Sequence, residues 1–214
     1  MDCCSGSAGC AEFFGQRVAR RSLSRYREKG LQDDASTMVE WAAGEGLDGA
    51  TVLEVGGGVG AVAVELLRRG AASGENVEVV AAWEPFAAEL ARDEQLGDRL
   101  QFRVADLLAD PAAAGPADVV ALQRVVCCNA EGVRLAGIAA ALTRRVLVLS
   151  YPRDAFWTRW VVAGQNLVFR LLGRAFRAFV HDPDAILAAA EEAGLRLAHR
   201  DRGAVWEVAA LRRA

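Results

Sequence analysis

The sequence predicts an α/β fold: a seven-stranded, mostly parallel sheet with helices on both faces and an N-terminal helical cap. Three observations carry that expectation. From Thr51 to Ser150 short apolar runs alternate with helical patterns, which implies right-handed βαβ crossovers and a parallel sheet. The first run passes directly into Gly56-Gly57-Gly58-Val59-Gly60 and then into a helix, so the backbone must turn sharply where a βα unit begins. Two further runs near the C-terminus meet at Gly203, a link so short that the pair must be antiparallel.

Each element follows from local pattern. Residues 51–55, 77–83, 100–104, 118–122 and 145–150 read as strands. Residues 59–69, 85–96 and 131–142 read as helices, the second with Pro85 at its first position, where a missing N–H costs nothing. Residues 11–27 and 34–43 form helical patterns ahead of the sheet, with glycines 44, 46 and 49 as punctuation. A long amphipathic helix is expected over 154–173, with Arg159, Arg170, Arg174 and Arg177 on one face and Trp157, Trp160, Val161, Val168, Leu171 and Leu172 on the other. The helix over 183–194 ends on Gly194, and strands 195–202 and 204–211 close the chain.

Bulk properties narrow the function. A chain of 214 residues suits one large domain. The 28 acidic and 25 basic side chains leave a net charge of −3, which gives no electrostatic reason to expect nucleic acid as a partner. No basic segment followed by an apolar stretch opens the sequence, and no apolar run reaches transmembrane length, so the cytoplasm is the expected compartment. There the five cysteines are expected as reduced thiols, metal ligands or redox groups.

The glycine turn is the strongest chemical signal. It lets a ligand approach the backbone closely and aims helix N–H groups at it. Glu84, at the end of the expected second strand, is placed to accept hydrogen bonds from both hydroxyls of a ribose. Asp106, after the third strand, is placed to accept from an adenine amino group. Gly56-x-Gly58-x-x-Ala61 also satisfies the dinucleotide fingerprint, so NAD remains a competing cofactor on residues alone.

The run Glu54-x-Gly56-Gly57-Gly58-x-Gly60 resembles the first motif of class I S-adenosylmethionine-dependent methyltransferases, a Rossmann-like family. Glu84, Asp106 and the strand at 117–122 match that family's later motifs in order, and the final hairpin matches its antiparallel last strand. The resemblance covers about residues 33–211 and implies S-adenosylmethionine as cofactor. It implies that Glu54 and the Gly56–Gly60 turn contact the methionine portion. Glu84, beside Pro85, would hold the ribose, and Asp106, beside Leu107, the adenine. Gln123 or Arg124 would lie beside cofactor and substrate, and Tyr26 joins the cofactor set. A narrower resemblance, to magnesium-protoporphyrin methyltransferases, rests on Tyr26–Leu31, on Arg124–Cys128 and on Arg177-Ala178-Phe179-Val180-His181. This chain has Gln123 and Asn129 where that group often has His and Tyr, which leaves the acceptor open. The expected organisation is a cysteine-bearing helical cap over 1–32 and an S-adenosylmethionine-binding domain over 33–214.

Substrates of this fold sit beyond the carboxyl ends of the strands. Cys127, Cys128, Tyr151, Asn166 and Arg170 are therefore expected around a small-molecule acceptor, with His181 as candidate general base. His199, in the penultimate strand, reads as structural. Cys3, Cys4 and Cys10 form a possible thiol cluster near the same face, although no metal-ligand spacing is present. Two alternatives stand beside a small-molecule methyltransferase: a cysteine-rich metal or redox protein on the same fold, and an NAD-dependent oxidoreductase. The 154–173 helix reads as packed on the sheet with a solvated arginine face, as a lid, or as a membrane- or partner-contacting surface.

Overall fold

A computed structural model describes residues 7–214. The chain opens with helices α1 (Ser7–Phe13), α2 (Gln16–Lys29) and α3 (Asp33–Gly44). The alternation follows as β1 (Thr51–Val55), α4 (Ala61–Arg68), β2 (Ser73–Glu78), α5 (Glu84–Asp93), β3 (Leu100–Val104), β4 (Ala117–Gln123), α6 (Gly132–Ala141) and β5 (Thr143–Pro152). It ends with α7 (Phe156–Leu171), α8 (Pro183–Glu192), β6 (Leu195–Arg202) and β7 (Trp206–Arg213). The strands form one seven-stranded sheet in the order β3-β2-β1-β4-β5-β7-β6. β1 to β5 run parallel, while β7 pairs antiparallel with both β5 and β6. The architecture expected from the sequence is thus the one formed.

The central strands are buried on both faces, which is why they read as continuous apolar runs. Their alternation divides the core. Val52, Val119, Ala121, Val146 and Val148 face a cluster with Met38 and Val39 of α3 and Leu66 and Leu67 of α4. Leu53, Val120, Leu122, Leu147 and Leu149 face the opposite cluster, with Leu135 and Ala136 of α6 and Ile186 and Leu187 of α8. Fully burying each leucine contributes about 1.5–3 kcal/mol, so the two clusters clamp the sheet between helix layers.

Three elements differ from expectation. The second strand ends at Glu78 rather than Trp83. Glu78 Oε1 accepts the N–H of Val80 and Oε2 accepts the N–H of Gly58, both at 3.1 Å. These bonds bend the chain out of the sheet, and a 3-10 turn at Ala81–Trp83 follows. Glu84 and Pro85 then form the first turn of α5. The helix expected over 11–27 is two helices, separated at Gly15, whose extended backbone breaks the run. Finally, α7 does not lay its apolar face on the sheet: Phe156, Trp160 and Leu171 are exposed. Among the described residues no helix is long and apolar enough to cross a membrane.

Candidate functional site

In the sheet order, β1 lies between β2 and β4, where the winding of the chain reverses. Crevices open at the carboxyl ends of strands at such a point. Here a cavity of about 270 Å³, as measured for the centres of water molecules, is lined by the ends of β1, β2 and β4, the segment after β3, and the cap helices α1 and α2.

The floor is the glycine turn. Gly58 has φ +58°, and a Cβ there would lie 2.7 Å from the Trp83 ring, so only glycine fits. A Cβ at Gly57 would collide with the Glu54 carboxyl group. Gly60, at φ +80°, caps the N-terminus of α4. Glu54 is fully buried beneath this turn and does not line the cavity. Its Oε2 accepts the N–H of Ala63 at 2.7 Å, and its other oxygen has no partner. Burial pushes its carboxyl up to about 8, against a smaller opposing effect of the Ala63 and Val62 N–H groups. The structure therefore makes Glu54 a support of the turn, not one of the groups facing a ligand.

The carboxylate at the end of β2 is Glu78. It lines the cavity and is 7% exposed. Burial raises its pKa, opposed by the N–H groups of Val80 and Gly58. An ionised carboxylate accepts about four hydrogen bonds, and two are used here, leaving capacity on the cavity side. Glu84, expected in this role, is exposed on α5 with Pro85, and neither lines the cavity. The correction has a physical cause: Glu78 diverts its own strand five residues before the apolar run ends. Spacing was the signal that could have drawn attention to Glu78, because it follows Gly58 by 20 residues, about the separation at which glycine-loop folds carry an acidic residue.

Asp106 and Leu107 line the cavity; Asp106 Oδ1 accepts the N–H of Leu108 at 2.9 Å. Gln123 also lines it, and its buried Nε2 has no partner. Trp83 Nε1 is likewise buried without a partner. Arg124 lines the cavity but is committed elsewhere. Its Nε and Nη2 donate to Asp34 of α3 at 3.0 and 2.6 Å, and its guanidinium stacks 4.3 Å over Trp206. Tyr26 lines the wall, with its hydroxyl donating to Glu65 at 2.7 Å. Burial, reinforced by Glu65, raises the Tyr26 pKa.

Of the expected acceptor-side residues, Cys128 lines the cavity and Cys127 packs just behind it. Both thiols donate to the Arg124 carbonyl, at 3.4 and 3.3 Å. Cys10 also lines the cavity, its thiol 3.8 Å from the Cys128 carbonyl, and burial pushes that thiol up to about 11, helped by Glu78 and Asp106. Contact with the Cys127 sulfur, 4.0 Å away, and then burial raise the Cys128 pKa, while the same contact lowers that of Cys127. Thiols held protonated in this way are weak nucleophiles and weak metal ligands. Among the described residues no group of three or more His, Cys, Asp or Glu side chains is arranged to hold a metal. Cys3 and Cys4 lie outside the described residues.

Four expectations are corrected. Tyr151 is 1% exposed in the core, its hydroxyl donating to Glu207 at 2.9 Å, because β5 turns it away from the strand ends. Asn166 bonds the Ala178 backbone at 2.7 and 2.9 Å and so holds the segment after α7. Arg170 is exposed. His181 Nε2 lies 3.0 and 2.9 Å from the carbonyls of Val126 and Asn129. Two acceptors require that nitrogen to carry the proton, so His181 ties down the turn before α6, and it is not among the cavity-lining residues. His199 stacks on Trp41 at 4.6 Å, the structural role expected of it.

No family model and no curated protein matches the chain. Solved structures do. Magnesium protoporphyrin IX methyltransferase from Synechocystis PCC 6803, with bound SAH, superposes with a TM-score of 0.75 at 19% identity, covering 95% of this chain and 98% of that one. The same enzyme with bound SAM gives 0.73 at 18%, covering 100% and 98%. Geranyl diphosphate C-methyltransferase from Streptomyces coelicolor A3(2), in complex with Mg2+, geranyl diphosphate and S-adenosyl-L-homocysteine, gives 0.64 at 16%, covering 84% and 77%. The [4+2]-cyclase SpnF gives 0.64 at 14%, covering 83% and 80%, so one fold here spans different chemistries. Sheet order, glycine turn and superposition agree: the chain has the class I S-adenosylmethionine-dependent methyltransferase fold.

Proposed function

We propose that this protein binds S-adenosylmethionine in the cavity at the switch point and transfers its methyl group to a small-molecule acceptor. The observation that carries the reading is the convergence of the glycine turn, the Glu78 carboxylate and Asp106 on one cavity. The buried Gln123 Nε2 and Trp83 Nε1, without partners among the described residues, fit it as well, because buried donors call for acceptors.

In this reading Glu78 accepts hydrogen bonds from the two ribose hydroxyls with the lone pairs that Val80 and Gly58 leave. Asp106 accepts from the adenine amino group with the capacity that Leu108 leaves, and Leu107 packs beside the base. Gln123 donates toward the methionine end or the acceptor. When bound, the cofactor supplies an electrophilic sulfonium methyl carbon. The protein's share is orientation: the α1 and α2 wall, with Cys10, Phe14 and Tyr26, excludes water and holds the acceptor in line. The described lining contains no histidine, and His181 is spent on two carbonyls, so the acceptor brings its own nucleophile. The magnesium-protoporphyrin and geranyl diphosphate neighbours support a small organic acceptor without naming one.

Calorimetric titration with S-adenosylmethionine, S-adenosylhomocysteine and NAD tests this. Binding of the first two, silence with NAD, at least tenfold weakening in Glu78→Ala and little change in Glu84→Ala are expected; charge-assisted hydrogen bonds of about 1.5–3 kcal/mol each set that scale. Preference for NAD, or silence with all three, overturns the proposal. Loss of binding in Glu84→Ala with retention in Glu78→Ala overturns the ribose assignment alone.

A further inference from the structure

Helix α7 presents an apolar face to solvent. Phe156 is 73% exposed, Trp160 76% and Leu171 77%, with Val161, Leu167 and Leu172 beside them. Monomeric proteins rarely leave so continuous an apolar stripe uncovered. The underside is anchored. Thr158 is buried, Asn166 is bonded to Ala178, and Phe169 packs on Phe13 and Phe176. Among the described residues nothing covers the exposed face.

Charge indicates what covers it. From Ala155 to Val180 the chain carries Arg159, Arg170, Arg174 and Arg177 and no Asp or Glu. Of the acids nearby, Asp154 pairs with Arg159 at 2.8 Å and Glu12 approaches Arg174 at 3.8 Å. Arg159 and Arg170 sit on one flank of the apolar stripe, where long side chains reach outward past buried apolar groups. Aromatic rings, an aliphatic stripe and flanking arginines are the make-up of a helix lying in a bilayer interface. A second copy of the chain is a poorer match, because an isologous contact would bring the same arginines together.

We infer that α7 docks this protein onto an anionic lipid surface, with its axis in the membrane plane and Arg170 on lipid phosphates. The consequence for the cavity is orientation. Phe176, just after α7, stacks on Phe13 at 4.5 Å, and Phe13 belongs to the same helix as Cys10 in the cavity wall. Docking therefore holds the cap side of the cavity at a fixed position relative to the bilayer. The inference stands independently of the proposed methyl transfer.

Vesicle flotation of the full chain tests it. The protein should float with vesicles of equal parts phosphatidylcholine and phosphatidylglycerol and remain unbound with phosphatidylcholine alone. Added salt should release it. Trp160→Ser combined with Leu171→Ser should abolish flotation with unchanged thermal melting, and Arg170→Gln should weaken partitioning about fivefold, as expected for one basic group at an anionic surface. Failure to float, equal flotation with both vesicles, or a lower melting temperature in the serine variant overturns the inference. So does a wild-type dimer in light scattering that the serine variant dissolves, which would assign the face to a second copy.

Discussion

Two carboxylates, one from β1 and one from β2, hold one turn. Glu54 lies beneath the glycines with no access to the cavity, whereas Glu78 lies beside them with its remaining lone pairs open to it. Glu54 carries a pH signature. Its pKa of about 8 in the fold exceeds the ordinary value of 4.5, so the native state retains a proton that the unfolded chain releases. Across pH 4.5–8 the unfolded state binds fewer protons, and stability therefore falls as pH rises, with a slope of up to about 1.4 kcal/mol per pH unit from this group. Glu54→Gln keeps an oxygen for the Ala63 N–H and cannot ionise. Urea unfolding at pH 5 and pH 8 should show a smaller loss of stability in the variant; an equal loss in both proteins would count against a buried, protonated Glu54. At this scale the sequence was only partly legible. It put carboxylates at the end of the second strand and after the third, but the apolar run from Val77 to Trp83 concealed that Glu78 ends its own strand by bonding Val80.

Single residues at the ends of elements do the joining. Arg124, at φ +57° after β4, clamps Asp34 of α3 and stacks on Trp206 of β7, while Ser150 of β5 donates to the same Asp34 at 2.8 Å. One ion pair thus fixes the helix entering the sheet to three strands. His181 does similar work between the segment before α8 and the turn before α6, where a Cβ on Gly132 would strike its ring. Removing it in His181→Ala leaves two carbonyls without their donor, and a loss of about 1–3 kcal/mol is expected in urea unfolding. Affinity for S-adenosylhomocysteine should stay within about twofold, because that bond lies outside the cavity and a twofold change is well under the 1.4 kcal/mol of a tenfold one. Intact stability with abolished turnover would return His181 to the catalytic role its position in the sequence suggested. Periodicity located these elements to within a few residues. It could not say which polar side chains between them turn inward, because that depends on partners distant in the chain, such as Asp34 for Arg124.

Over the whole molecule, the parallel core was the most legible part, since strands buried on both faces leave uninterrupted apolar runs. The outer elements were the least. The final hairpin and α8 appeared as expected, but the sequence pattern of α7 fits a buried stripe and a membrane-facing one equally well. The cap shows a related ambiguity: helical pattern alone does not reveal that Gly15 breaks it or that its two halves wall the cavity. Those halves are held to the sheet layer by Ala19, Leu23 and Tyr26, buried in the core, and by a few side-chain contacts. Tyr26 bonds Glu65 of α4, Arg27 pairs with Glu89 at 2.6 Å and with Asp93 of α5, and Phe13 and Phe14 pack on Phe176. The Arg27 pairs are exposed and contribute little, so α1 and α2 should open at much lower cost than the seven-stranded sheet unfolds. A ligand filling the cavity touches both layers and must enter between them. Hydrogen exchange is therefore expected to be fast over residues 7–30 in the free protein and to slow there on adding S-adenosylhomocysteine. Exchange in β1, β4 and β5 should already be slow and change little. Global stability should rise by about 2.7 kcal/mol at a ligand concentration of one hundred times Kd. Tyr26→Phe, which removes the bond to Glu65, should speed exchange in the cap without altering the central strands. Protection that spreads evenly over sheet and cap would mean that the two layers open as one unit and that the cavity has another entrance.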